Sequence, residues 1–148
     1  MSVQVRPVSS DDFFAWLELY AGYNTFYELE LTDTKALRVW GWLTDATHEL
    51  RAFLAVDETD TPIGLAHYRG FARPSSGTSG LYLDDLFVAQ NARGRGAATA
   101  LIEAVRERAA AERRSVVRWI TAADNETAQR VYDRVATRTD WVTYDLNP

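Results

Sequence analysis

Apolar positions along the chain recur with two periods, near two residues and near 3.6, and the switches between them divide the sequence into short elements. Residues 3–6 alternate over the length of a short strand that Pro7 stops. Phe13, Trp16, Leu17 and Tyr20 then share one face of a helix. Ser9 or Ser10 caps that helix, Asp11 and Asp12 suit its first turn electrostatically, and Gly22 ends it. Residues 23–31, YNTFYELEL, have no clear period and are rich in aromatic and acidic side chains. They read as a loop beside a pocket, or as a packed connection. Thr32 or Asp33 caps a second helix whose buried stripe is Leu37, Trp40 and Leu43, with Gly41 loosening it. Residues 50–56 and 63–71 read as two strands of a hairpin joined by DETDTP, and RPSSGTSG at 73–80 returns the chain antiparallel to a third strand. A strand is expected at 115–121, with Val117 and Trp119 on one face and Val116 and Ile120 on the other. A helix capped by Asp124 or Asn125 follows, with Ala128, Val131 and Val135 on one stripe, and a final strand at 139–146.

The most informative stretch is 81–108, LYLDDLFVAQNARGRGAATALIEAVRER, which reads as strand, glycine-bearing loop and helix in unbroken succession. Leu81, Leu83, Leu86, Phe87 and Val88 supply the strand, and Gln90, Asn91, Gly94 and Gly96 break it. From Ala97 the pattern is helical, with Ala98, Ile102, Val105 and Ala109 on one stripe. The first turn of a helix leaves its N–H groups without intrahelical partners, and the macrodipole adds about half a positive charge there. Gly94 and Gly96 remove the side chains that would keep an anion from those amides, so a phosphate or pyrophosphate can sit on the backbone. Gly96 is followed by Ala97, Ala98 and Thr99, not Lys-Ser/Thr, which argues against a nucleoside-triphosphate P-loop. Thr99 stands where a dinucleotide fingerprint needs its third small residue.

A length of 148 residues predicts one domain over 1–148, with roughly two thirds of the unfolded chain's surface buried. Apolar residues at 47% and charged residues at 25% are ordinary for a soluble globule. No apolar run approaches the roughly 20 residues of a membrane span, and the N-terminus lacks the apolar core of a signal peptide. The absence of cysteine excludes disulfides, thiolate metal sites and a cysteine nucleophile. A cytoplasmic location is the default. The net charge of −5 argues against nucleic acid as a partner and is compatible with a cationic small substrate. His48 and His67 show no metal-ligand spacing, and no metal is implied.

The loop Asn91-Ala92-Arg93-Gly94-Arg95-Gly96 resembles the Arg/Gln-x-x-Gly-x-Gly/Ala signature of the GNAT acetyltransferases, with Asn91 in place of the usual Gln or Arg. A second motif, Asn125-Glu126-Thr127-Ala128-Gln129-Arg130-Val131-Tyr132, resembles the Asn-x-x-Ala-x-x-x-Tyr of the same superfamily, although Ala136 and Thr137 stand where a Gly-Phe pair usually follows. The predicted order β, α, α, β, β, β, α, β, α, β is that of the GNAT fold. The resemblance therefore implies an α/β (α+β) domain with a mixed, mostly antiparallel sheet of about six strands and helices on both faces. Tyr82-Leu83-Asp84-Asp85-Leu86-Phe87-Val88 is similar to the corresponding stretch of the spermidine/spermine and thialysine acetyltransferases, as is the Tyr27-Glu28 pair.

The resemblance implies transfer of the acetyl group of acetyl-CoA to a primary amine, polyamine-like or amino-acid-like. Such a reaction needs a base for the ammonium, a support for the oxyanion and an acid for the departing thiolate. Tyr132 is the candidate acid, since a phenol of pKa about 10 stays protonated at neutral pH. In a regular strand Asp84 and Asp85 project to opposite faces, so at most one faces the acetyl group. The family match selects Asp84 as base or water relay and leaves Asp85 structural or substrate-facing, beside Tyr27 and Glu28 as substrate contacts. His67 is the alternative base. By the same resemblance, the main chain of Leu86, Phe87 and Val88 holds the pantetheine arm, and Gly94, Arg95, Gly96, Ala97, Ala98 and Thr99 hold the pyrophosphate. Arg93 or Arg95 adds a charge-assisted contact, and Asn125 bonds the pantetheine or phosphate side. Alternatives are a protein or peptide acetyltransferase, which an open groove would favour, and a non-catalytic acyl-CoA-binding domain. A closed acidic pocket around Glu28, Glu30 and Asp84 would favour a small amine. The polyamine-type enzymes further imply a homodimer paired through C-terminal strands, with Trp141, Val142 and Tyr144 supplying apolar surface.

Overall fold

The computed structural model describes residues 2–148 and is built on one five-stranded sheet in the order β1-β2-β3-β4-β5. The strands are β1 (Gln4–Pro7), β2 (Arg51–Val56), β3 (Pro62–Arg73), β4 (Thr78–Val88) and β5 (Val117–Arg118). The first four are paired antiparallel, and β4 pairs β5 in parallel. Helices α1 (Phe13–Phe26), α2 (Asp33–Thr44), α3 (Ala97–Ala111) and α4 (Glu126–Val135) complete the α/β layout. Trp16, Leu19 and Tyr20 of α1 and Val39 of α2 pack with Leu54 and Leu65 of the sheet. Leu101, Ile102, Val105 and Ala109 of α3 form a second cluster with Phe53, Tyr68 and Leu83. The apolar stripes of α1 and α2 thus cover one side of the sheet and that of α3 the other. Ser9 and Asp12 form a capping box ahead of α1, and Arg6 donates from both Nη atoms to Asp12, tying the helix start to β1.

Four sequence expectations change. Helix α1 does not stop at Gly22 but runs on to Phe26, carrying Tyr23 into the helix. A Cβ at position 22 would come within 2.7 Å of the Phe87 ring, so this glycine serves close packing of α1 on β4 and not termination. In α2 the expected Trp40 and Leu43 do pack on the core, but Leu37 is 60% exposed and Ala36 and Val39 are the fully buried positions, so the stripe is shifted at its N-terminal end. The strand expected at 115–121 shortens to Val117–Arg118. Residues 139–146 form no strand: Trp141, Val142, Tyr144 and Leu146 are between 75% and 94% exposed, and the sheet holds five strands, not six. An extended segment gains its backbone hydrogen bonds only from a neighbour, and this one has none among the described residues. Among the described residues no helix is long and apolar enough to cross a membrane.

Candidate active site

Two features of β4 create the site. The first is a β-bulge. His67 of β3 faces Asp85, but the next residue, Tyr68, faces Leu83, so Asp84 is an extra residue without a partner. The parity rule that would send Asp84 and Asp85 to opposite faces therefore fails at this point. Asp85 accepts from His67 at 2.8 Å, and Asp84 accepts from Arg69, two residues further along the same side of β3, at 3.0 Å. Both carboxylates line one cavity of about 450 Å³, with His67 and Arg69, and Trp42 and Leu50 among its walls.

The second feature is a splay. The β4–β5 ladder consists of Leu81↔Val117 and Tyr82↔Arg118 only, so residues 83–88 have no strand on that side. Leu86, Phe87 and Val88 present main-chain groups along this gap, the arrangement that an extended pantetheine arm could join as a strand is joined. The gap leads to a short 3-10 turn at Gln90–Ala92 and then to the glycine loop. Gly94 and Gly96 hold φ of 83° and 82°, in the left-handed region, and a Cβ on either would meet nothing within 4 Å. The amides of Gly94, Arg95, Gly96, Ala97, Ala98 and Thr99 have no acceptor among the described residues, whereas the amide of Ala100 donates to the Gly96 carbonyl at 3.0 Å. Six donors facing open space at a helix N-terminus fit a pyrophosphate. Arg93 sits beside them, donating from Nε to the Val88 carbonyl and stacking over Phe26.

His67 is 1% exposed. Its Nε2 lies 3.0 Å from Trp16 Nε1, and an indole nitrogen can only donate, so this Nε2 carries no proton. The proton is on Nδ1, which donates to Asp85 Oδ2. With its free lone pair occupied by Trp16, His67 has nothing to offer an ammonium, and the alternative assignment of His67 as base falls. Its role is to hold Asp85.

The environments of the two carboxylates diverge. Burial pushes Asp85 upward, but the hydrogen bond from His67, together with the Tyr23 hydroxyl, holds its carboxyl below the usual value. Burial raises Asp84 above the usual value, and the Arg69 guanidinium only partly offsets it. Tyr23 is itself pushed up, by burial and by Asp85, so it stays a donor. Its ring packs against Tyr27 at 4.8 Å. Tyr132 is half-buried on α4, edge-on to Trp119 at 5.4 Å, and burial followed by the nearby Tyr27 raises its phenol above the ordinary value.

Other sequence candidates are placed differently. Tyr132 does not line the carboxylate cavity; Tyr23 and Tyr27 lie between the two. Tyr27 is the C-cap of α1, and Glu28 is exposed with φ of 56°. Neither they nor Glu30 join Asp84 in the cavity, so the acidic pocket is not the one expected; its third acid is Glu49. Asn125 caps α4, its Oδ1 accepting from the Ala128 amide at 3.2 Å, which leaves its Nδ2 for a ligand. Arg69, Trp16 and Tyr23 were not singled out by the sequence. Tyr23 carried a signal, the aromatic and acidic composition of 23–31, and Arg69 carried only its two-residue spacing from His67.

The acetyltransferase (GNAT) family profile matches residues 13–136. The chain belongs to that family and is an acetyl-CoA-dependent N-acetyltransferase. It is 33% identical over 146 residues to the D-amino-acid N-acetyltransferase HPA3 of Saccharomyces cerevisiae, covering 98% of this chain and 91% of that one. Its fold is similar to the structure of the aminoglycoside acetyltransferase AAC(6')-Iy in complex with a bisubstrate analogue, at a TM-score of 0.86 and 19% identity, with 100% and 99% of the chains covered. It is similar also to the ribosomal-protein-alanine N-acetyltransferase of Brucella melitensis biovar Abortus 2308, at 0.82 and 20%, over 99% of each chain. One fold thus carries relatives named for quite different acceptors, so the acceptor is argued from the site.

Proposed function

We propose that this protein acetylates the primary amine of a small polyamine-like or amino-acid-like molecule, with Asp84 as base or water relay and Tyr132 as general acid. The observation that carries the reading is the bulge in β4, which turns two adjacent carboxylates of opposite tendency into one cavity. Asp85, fixed by His67, stays ionised and attracts the ammonium. Asp84, raised by burial, takes the proton. Acetyl-CoA supplies the thioester carbonyl; the amides of residues 94–99 and the Leu86 to Val88 edge hold and orient it, and the phenol of Tyr132 delivers a proton to the leaving thiolate. The name of the yeast relative supports an amino-acid-like acceptor, and the Tyr82 to Val88 resemblance supports a polyamine-like one. The three carboxylates of the cavity, Glu49, Asp84 and Asp85, support a small cationic amine. A homodimer formed through the C-terminal segments belongs to the same proposal, because Trp141, Val142, Tyr144 and Leu146 are exposed on a stretch without a strand partner. A monomeric mass by light scattering would remove the dimer and leave the chemistry untouched.

The test is a thiol-release screen with acetyl-CoA against polyamines, amino acids, aminoglycosides and peptides. Turnover is expected with small amines and not with peptides. Turnover confined to peptides would overturn the reading.

A further inference from the structure

The cavity that holds Asp84 and Asp85 contains one permanent cation, Arg69, and its bonding is incomplete. Arg69 donates to both oxygens of Asp84 through Nε alone, at 3.2 and 3.0 Å. Its Nη1 and Nη2 have no acceptor among the described residues. A guanidinium holds a carboxylate best through two parallel N–H donors, so the pairing with Asp84 leaves most of that capacity unused. The Arg69 side chain is 37% exposed, and its guanidinium lies over the Tyr82 ring at 5.0 Å, a contact that leaves its N–H groups in the ring-parallel plane open to a ligand.

We infer that Arg69 is the receptor for the α-carboxylate of an amino-acid acceptor, and that this carboxylate displaces Asp84 from Arg69 and so frees the base only when such an acceptor is bound. The inference rests on the proposed function and names its substrate class. An α-amino acid carries an ammonium and a carboxylate two bonds apart, and the cavity presents a carboxylate and a guanidinium about 3 Å apart in the mirror arrangement. The incoming carboxylate pairs in two parallel bonds with Nε and the adjacent Nη, which removes Asp84 from Nε, the ammonium enters between Asp84 and Asp85, and one ammonium proton passes to Asp84. Asp85 remains tied to His67 and is not available to compete for Arg69. A polyamine or simple amine has no group for Arg69, meets it as a like charge, and leaves the Asp84–Arg69 pair closed. Arg69 is therefore a specificity-determining residue that acts on the base by exchange of partners.

The test compares acceptors that differ only in the α-carboxylate: phenylalanine with 2-phenylethylamine, methionine with 3-(methylthio)propylamine, and lysine with cadaverine, both enantiomers of each amino acid being used. With the native enzyme, kcat/KM for at least one amino acid should exceed that of its amine by on the order of 10- to 100-fold, the loss expected for a missing hydrogen bond to a charged group. In Arg69→Gln that ratio should collapse toward one through loss of the amino acid's advantage, with the melting temperature maintained. Arg69→Lys should recover only part of the ratio. A native ratio near or below one, or a ratio unchanged in Arg69→Gln, overturns the inference and leaves N-acetylation of small amines standing. Should no acceptor in the set turn over, calorimetry of the same six pairs of ligands decides. Amino-acid binding that disappears in Arg69→Gln upholds the assignment of Arg69 while removing the proposed reaction, and binding that is absent or independent of Arg69 overturns it.

Discussion

The two ends of the site are built from different material. The loop at residues 94–99 offers unpartnered backbone amides, and side chains are absent at Gly94 and Gly96. The acceptor cavity recognises with side chains drawn from α1, α2, β3 and β4, each held by another: Trp16 holds His67, His67 holds Asp85, and Arg69 holds Asp84. The backbone end depends on the left-handed conformation of Gly94 and Gly96 and on nothing larger or anionic standing over the amides. The side-chain end is a chain of dependencies in which the loss of a distant member is felt at the carboxylates. This division suits a family in which one co-substrate is constant and the acceptor varies.

The largest effect is expected from Gly96→Glu, which places bulk and negative charge on the amides of the α3 start and should abolish acetyl-CoA binding by calorimetry. Gly96→Ala serves as its control. At φ of 82° any L-residue is strained, at a cost of order 1–3 kcal/mol, so Ala should lower the melting temperature but keep measurable binding. Equal loss in both variants would mean that strain and not the anion site explains the result.

Next in size is Tyr132→Phe, which keeps the ring against Trp119 and deletes the proton. A kcat loss of about 10²–10⁴-fold is expected, or roughly 3–5 kcal/mol of barrier, with acetyl-CoA binding and melting temperature unchanged. A loss below about fivefold would assign Tyr132 to packing alone.

The carboxylate pair allows a sharper division. Only the ionised form of Asp84 can take a proton, so kcat/KM should rise with pH through its raised pKa. Asp84→Asn should flatten this rising limb and cost about 10²-fold at neutral pH, within the usual range for a general base, while sparing acetyl-CoA affinity. Asp85→Asn is expected to be milder, raising KM for the amine about tenfold with the limb retained, as fits an anchor that carries no proton. If instead the limb disappears in Asp85→Asn and survives in Asp84→Asn, the two roles are reversed.

How much of this was legible before the structure depended on the range of the interactions. The strand, loop and helix of residues 81–108 could be read because each signal is local: apolar alternation, two glycines, then a 3.6-residue stripe. The unpartnered amides follow from that succession without knowledge of any other part of the chain. The helix limits of α1 were misread because Gly22 was treated as a stop, when it is required by the Phe87 ring, a contact made across the sequence. The exposure of Leu37 in α2 has the same origin, since which apolar residues are buried depends on the surface the helix meets.

Local pattern by itself determined most of the elements and the glycine loop at the start of α3, and the family resemblance, carried by two short motifs and the order of those elements, implied the fold class. The tertiary structure alone decided that Asp84 and Asp85 share a face, that His67 is a positioning residue with no free lone pair, and that Arg69 belongs to the site. The reason is that a bulge is a property of two strands and not of one. Periodicity assigns side chains to faces on the assumption of a regular ladder, and a single extra residue opposite His67 and Tyr68 is enough to reverse it.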